Sequence, residues 1–239
     1  VPDAAGLGAG WQGGNHPAIA AEISGRGRRR PIMTHYAITD GLLGLVALWG
    51  AALLLFRTGR AVNLRSPQIL AAFGLLTIAL AALTGTLRFL AANHDLLKPL
   101  HLALSEMAGV VGSLWILFGL LRLRRSLPLP LVVQYGLPPL IFAAALFAGQ
   151  TQWVILISGL CLLAGQLDSL IGLFRQGHAA PGTWMLVSLL SIVAAFAGEA
   201  LFPDMPSYAW HHYHGLMAVW ALALVLSVKG HDSVVSVHK

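Results

Sequence analysis

The stretch QILAAFGLLTIALAALTGTLRFL, residues 68–90, carries a single charged side chain, Arg88. As an α-helix it is about 34 Å long, enough to cross the roughly 30 Å hydrocarbon core of a bilayer. Similar apolar stretches recur at about 36–56, 98–121, 131–149, 152–174, 182–202 and 209–228. In lipid every backbone N–H and C=O must be satisfied within the segment itself, so runs of this length are helices. The chain therefore reads as an all-α polytopic membrane protein with seven transmembrane helices.

Composition agrees. Hydrophobic residues make up 57% of the 239 residues and charged residues 10%, with a mean hydropathy of +0.75. A soluble domain carries about a quarter charged residues, so no separate soluble domain fits beside the spans. The formal charge of +6 comes from short arginine runs between apolar segments, where they set orientation and meet anionic headgroups; nucleic acid is not an expected partner. The only cysteine, Cys161, lies inside a span and forms no intrachain disulfide.

Residues 1–32 are Gly- and Ala-rich, end in Arg26, Arg28, Arg29 and Arg30, and lack the apolar core of a signal peptide. They read as a disordered extension. Met33 opens MTHYAITDGLLGLVALWG, which resembles a natural start; the alternative is a basic arm on the membrane surface. Residues 33–230 form the membrane domain and 231–239 a short cytoplasmic tail.

Loop charge sets the expected topology. Arg57, Arg60 and Arg65 follow the first span, Arg122, Arg124 and Arg125 the third and Arg175 the fifth, with Lys229 and Lys239 at the end. The connections at Gly149–Thr151 and at FPDMPS, residues 202–207, have no Lys or Arg, and the second has only Lys98 with Arg88 nearby. The positive-inside rule predicts an N-out, C-in protein of bacterial inner-membrane type. Pro99 suits the first turn of the third span, Ser207 a cap for the seventh, and Pro138 and Pro139 a kink or partial unwinding of the fourth.

Self-comparison suggests a parallel three-plus-one-plus-three repeat. Without gaps, Leu76 matches Leu189, Ala81 and Ala82 match Ala194 and Ala195, Gly85 matches Gly198, Phe89 matches Phe202 and His101 matches His214; LFRTGR also echoes LFRQGH. On this reading His101 and His214 are pseudo-equivalent and the fourth span is the linker.

Ionisable residues inside spans are costly and mark functional sites. Asp40, His94, Asp95, His101, Ser105, Glu106, Glu199, Asp204, His211, His212 and His214 all fall toward the same end. Asp168 with Gln166, near the other end, reads as an interhelical hydrogen-bond node. His211 and His214, three apart, share a helix face, while His212 points about 100° away. With His101 they form a three-ligand set of the kind that leaves a catalytic zinc one open position. Glu106, Glu199 and Asp40 are candidate acid–base or supporting groups and Ser105 a candidate nucleophile. The competing reading makes YAWHHYHGLMAVW, residues 208–220, an interfacial aromatic belt.

The seven spans and the WHHYHG opening of the last one resemble the CREST superfamily of seven-helix membrane hydrolases and receptors, which includes alkaline ceramidases and adiponectin-receptor-like proteins. The resemblance implies a zinc ion held by one helix-2 histidine and a histidine pair at the start of helix 7, and hydrolysis of a lipid amide. WHHYHG stands where the family has His-x-x-x-His, and the helix-2 histidine position falls near Thr84 and Arg88. Arginine cannot ligate zinc, so His101 would have to substitute. The expected function is a metal-dependent hydrolase acting on a lipid-like substrate from the bilayer. The alternatives are a transporter or proton-coupled carrier, and a haem protein ligated by His101 and His214.

Overall fold

A computed structural model describes residues 34–56, 66–91, 94–124 and 129–237. These form α1 (Thr34–Leu55), α2 (Pro67–Leu90), α3, α4 (Leu131–Phe147), α5 (Thr151–Arg175), α6 (Ala179–Leu201) and α7 (Pro206–Val237). Helix α3 runs from His94–Met107 through a π-helical turn, Ala108–Gly112, into Ser113–Arg124. No strand occurs among the described residues. The extension, the loop arginines Arg57, Arg60, Arg65 and Arg125, and Lys239 lie outside the described residues.

Six of the seven helices are long and apolar enough to cross a membrane; the exception, α4, has 17 residues. That is about 26 Å of helix, slightly short of the hydrocarbon core. Helices α1, α2, α3, α5, α6 and α7 pack in that order as a closed ring, with α7 returning against α1, while α4 lies outside against α3, α5 and the π turn.

Side-chain contacts fix the directions. Gly50 meets both Leu75 and Val225, so α1 touches α2 and α7 at one level. Gly41 lies by Thr86 and Gly44 by Leu83, which makes α1 and α2 antiparallel. Gly109 faces Ile155 and Gly165 faces Leu117, which makes α3 and α5 parallel. All the predicted ionisable positions in helix ends near Asp40 consequently gather at one end of the ring.

Lipid tails are as apolar as the helices, so helix association relies on close backbone approach at small residues. A Cβ on Gly74 would stand 2.5 Å from the Gly112 carbonyl oxygen and 2.5 Å from Ile116 Cγ1. One on Gly119 would stand 2.8 Å from the Pro67 carbonyl. Helices α2 and α3 thus cross at paired glycines, where α3 takes up its π turn. Trp220, Leu70, Leu75, Ile116 and Leu224 are fully buried inside the ring, whereas outward apolar side chains such as Phe147, 97% exposed, face the surroundings. An apolar exterior of this kind requires a lipid environment, and the chain is an integral membrane protein.

The helices begin and end within a few residues of the apolar segments read from sequence, except that α3 starts at His94 and α7 runs on to Val237. The longer start places Pro99 inside α3 and not in its first turn. Helix α4 stays helical through Pro138 and Pro139; the departure from α geometry falls in α3. Ser207 lies inside α7, which begins at Pro206, and its hydroxyl bonds the Tyr36 hydroxyl at 2.6 Å.

Candidate functional site

Asp40, two turns into α1, is completely buried, 0% exposed. Parallel packing of α1 on α7 brings its Oδ1 to 3.1 Å from His214 Nε2. The room comes from Gly85 on α2: a Cβ there would overlap the other carboxylate oxygen and stand 2.7 Å from His101 Cε1. Helices α1, α2, α3 and α7 therefore meet around one missing side chain, and Asp40, His101 and His214 gather there.

Hydrogen bonds to carbonyls, which only accept, assign the tautomers. His101 Nδ1 donates to the Ala81 carbonyl at 3.2 Å, and His214 Nδ1 donates to the Trp210 carbonyl at 2.9 Å. Each neutral ring keeps its lone pair on Nε2. For His214 that lone pair points at a carboxylate, and two acceptors cannot sit at 3.1 Å without a proton or another cation between them. Neither oxygen of Asp40 has a further hydrogen-bond partner, and the Trp210 indole N–H stands beside the carboxylate without closing a bond. The Trp210 ring instead stacks on His214, with centroids 4.3 Å apart and planes at 27°.

Arg88 lies one turn beyond Gly85 on the same face of α2 and is 6% exposed. Its guanidinium sits 5.2 Å from the Phe89 ring centroid and interacts electrostatically with Asp40, Asp95 and His101.

His211 takes a different partner from His214. Its Nε2 is 2.6 Å from His35 Nδ1 and its Nδ1 is 3.2 Å from Thr39 Oγ1. The Thr39 hydroxyl donates to the Tyr36 carbonyl and so accepts from His211 Nδ1–H; His211 Nε2 then accepts from His35. Tyr36 stacks on the His211 ring at 5.4 Å and 21°. Tyr36, Trp210 and His211 fill the α1–α7 seam, so only part of the aromatic run, Tyr208 included, is exposed as a belt.

His212 points to another face, as its spacing predicts. It lies against Gly198, where a Cβ would come 2.8 Å from its Cδ2, and bonds the Ala194 carbonyl at 2.9 Å. His101 has the same relation to Gly85 and Ala81. The self-comparison matched these alanines and glycines and paired His101 with His214; the histidine that lies against Gly198 and Ala194 is His212, two residues earlier.

Among the other candidates, the Ser105 hydroxyl donates to the His101 carbonyl at 2.8 Å, which occupies its proton within the helix. Glu106 is partly buried and lies about 140° around α3 from His101. Glu199 is in the last turn of α6, and its side chain, like that of His94, lies outside the described residues. Asp95 and Asp204 are exposed. Of the expected Asp168–Gln166 node, Gln166 bonds across helices: its amide donates to Ser188 at 3.3 Å while Ser188 donates to the Trp220 carbonyl at 3.3 Å.

His35 and Thr39 were not legible as site residues. Their only signal is the i, i+4, i+5 spacing of His35, Thr39 and Asp40, which becomes meaningful once α7 is known to lie alongside. Among the described residues no three His, Cys, Asp or Glu side chains are close enough to hold a metal ion as they stand. Comparison with family models, curated proteins and solved structures finds no match for the chain.

Proposed function

We propose that this membrane protein is a divalent-metal-dependent hydrolase whose ion is held by Asp40, His101 and His214. The contact of Asp40 with His214 carries this reading. Ligands on a tetrahedral zinc with bonds of about 2.0–2.1 Å lie roughly 3.3 Å apart, close to the 3.1 Å between this oxygen and nitrogen. Both histidines have Nδ1 anchored on a main-chain carbonyl, an arrangement that orients Nε2 toward a metal. His101 shares the Gly85 seat with Asp40 and completes the proposed set of three ligands. Asp40 thus replaces His211 as the third ligand.

When bound, zinc lowers the pKa of a coordinated water toward about 7. Glu106 and Glu199 are the acid–base candidates, and the seat's position inside an apolar bundle suits a lipid-like substrate entering from the bilayer. Ser105 remains a candidate nucleophile, although its hydroxyl donates to the His101 carbonyl of its own helix. The CREST likeness supports the same class, although a carboxylate and a single α7 histidine stand where that superfamily has histidines.

Metal analysis with an absorption spectrum of the purified protein tests the proposal. About one zinc per chain is expected, lost in His214→Ala and retained in His211→Ala, because His211 faces His35. A Soret band would instead favour haem ligation by His101 and His214. Absence of both would favour a proton-coupled carrier, a reading motivated by the His35–His211–Thr39 hydrogen-bond chain near the Asp40–His214 pair. Proton uptake by proteoliposomes would then be the assay.

The N-out, C-in bacterial inner-membrane topology is part of the proposal and rests on the arginine distribution. Reporter fusions after Arg60, Arg125 and Arg175 should report cytoplasm and one near Pro206 the opposite side. A cytoplasmic signal at Pro206 would overturn it. The repeat is supported by the ring order α1–α2–α3–α5–α6–α7 and by the paired histidine seats at Gly85 and Gly198.

A further inference from the structure

We infer that the arginine-bearing end of the ring holds a seat for the phosphate of an anionic phospholipid, built from Arg124 on α3 and Ser169 on α5. It lies at the opposite end from Asp40, so the inference stands apart from the metal reading. Gly172 makes the seat possible: a Cβ there would overlap the Arg124 guanidinium, which lies across the α5 backbone at that point. An arginine near a helix end usually extends toward water. Here its Nε is buried without a hydrogen-bond partner, a costly arrangement in an apolar bundle.

Ser169 is the second observation. It is 3% exposed and its hydroxyl has no hydrogen-bond partner, whereas the hydroxyls of Thr86, Ser105 and Thr183 each donate to the carbonyl four residues earlier. Arg124 and Ser169 line one cleft among α3, α5, α6 and α7, together with Leu120, Leu173, Met185 and His231. The space in it takes about one water-sized group. That suits one oxygen of a larger anion whose other oxygens stay at the mouth, on the guanidinium fork.

The level of the cleft selects the ligand. Helix α3 ends at Arg124 and α5 at Arg175, so the seat lies where the apolar spans end and lipid phosphates begin. Arg122 and the exposed Arg175, in the last turns of the same two helices, add positive charge. Asp168 precedes Ser169 on α5 but does not line the cleft. Basic pockets between helices at this level recognise anionic headgroups.

The test uses the full chain in neutral detergent, with bound lipid counted by native mass spectrometry and the thermal midpoint followed in parallel. Short-chain phosphatidylglycerol should bind and raise the midpoint, and phosphatidylcholine and inorganic phosphate should bind at least about tenfold more weakly. Arg124→Gln should weaken phosphatidylglycerol binding by at least about tenfold, the scale of a charge-assisted hydrogen bond. Ser169→Ala should weaken it by about two- to tenfold. Gly172→Ala should act like Arg124→Gln, because it displaces the guanidinium while every charge is kept. Arg175→Gln, at an exposed position, should bind as the parent does.

Equal losses in Arg175→Gln and Arg124→Gln would mean diffuse attraction to an arginine-rich surface and overturn the seat, as would unchanged affinity in Gly172→Ala. An equal response to inorganic phosphate would overturn the lipid assignment in favour of a free anion, and an equal response to phosphatidylcholine would overturn selection by charge. If Arg124→Gln or Gly172→Ala does not fold, Ser169→Ala, which removes a hydroxyl without a partner, decides against Arg175→Gln by the same comparison. A parent protein without zinc but with Arg124-dependent lipid binding would overturn the metal reading and leave the seat standing.

Discussion

In metal-free protein, Asp40→Asn is expected to raise the thermal midpoint, and in zinc-loaded protein it is expected to abolish metal binding. Asp40 is fully buried, and its oxygens have only His214 Nε2 within pairing distance. Taking a carboxylate out of water costs several kcal/mol, and replacing buried ion pairs with neutral groups is often stabilising by about 1–4 kcal/mol. Asparagine keeps the shape and supplies an amide N–H that can donate to the His214 Nε2 lone pair. A gain of about 1–3 kcal/mol, a few degrees in midpoint, is therefore expected when chelator has removed the metal.

His214→Ala should have the opposite sign, because it removes the side chain within pairing distance of the buried Asp40 carboxylate, a loss of about 3–5 kcal/mol. Combining the two should restore much of that loss, since the double variant no longer buries a carboxylate that has lost its His214 contact. Thermal unfolding of the three variants in chelator, beside metal analysis of each, checks the argument. Destabilisation by Asp40→Asn in metal-free protein, with zinc retained, would show that Asp40 is a structural hydrogen-bonding residue and sink its role as ligand.

Gly74→Leu is expected to prevent accumulation of folded protein. At this position even a Cβ would press to 2.5 Å from the Gly112 carbonyl oxygen, a backbone atom that cannot rotate away, and from Ile116 Cγ1. Relief requires α2 and α3 to separate, and that crossing sits under the His101 segment. Overpacking a tight interface costs about 1–3 kcal/mol for small insertions, which sets the scale for Gly74→Ala; leucine adds three more carbon atoms to the same space. By contrast, Gly136→Ala and Gly159→Ala meet nothing within 4 Å and should be neutral or gain up to about 1 kcal/mol of helix propensity. Detergent-solubilised yield and thermal midpoint distinguish the sites; equal tolerance at Gly74 and Gly159 would refute the close crossing.

Much of the bundle was legible in sequence because hydrophobic length is counted along the chain. Each apolar run becomes one helix, and alternating direction sends His101, His211, His214 and Asp40 to one end without any knowledge of packing. The short α4 was legible as an apolar segment, but its position outside the ring was not. That position depends on which helices bury more surface against one another. The matched Ala81/Gly85 and Ala194/Gly198 were visible in sequence, whereas the histidines that sit against those glycines, His101 and His212, are side-chain contacts that only the tertiary structure shows.

What sequence alone determined, then, is an all-helical membrane protein with most of its histidines and carboxylates toward one end and its arginine runs at the other, because bilayer thickness and the cost of buried charge act on each segment separately. Tertiary structure decided which of those side chains meet. The rotation of each helix about its axis sends His214 to Asp40, His211 to His35 and His212 to Gly198, although all three histidines lie within four consecutive residues. That rotation goes with close approaches between segments distant in the chain, among them Gly50 against Val225 and Gly198 against His212, and a glycine in an apolar run reads the same whether it faces lipid or makes room for a side chain.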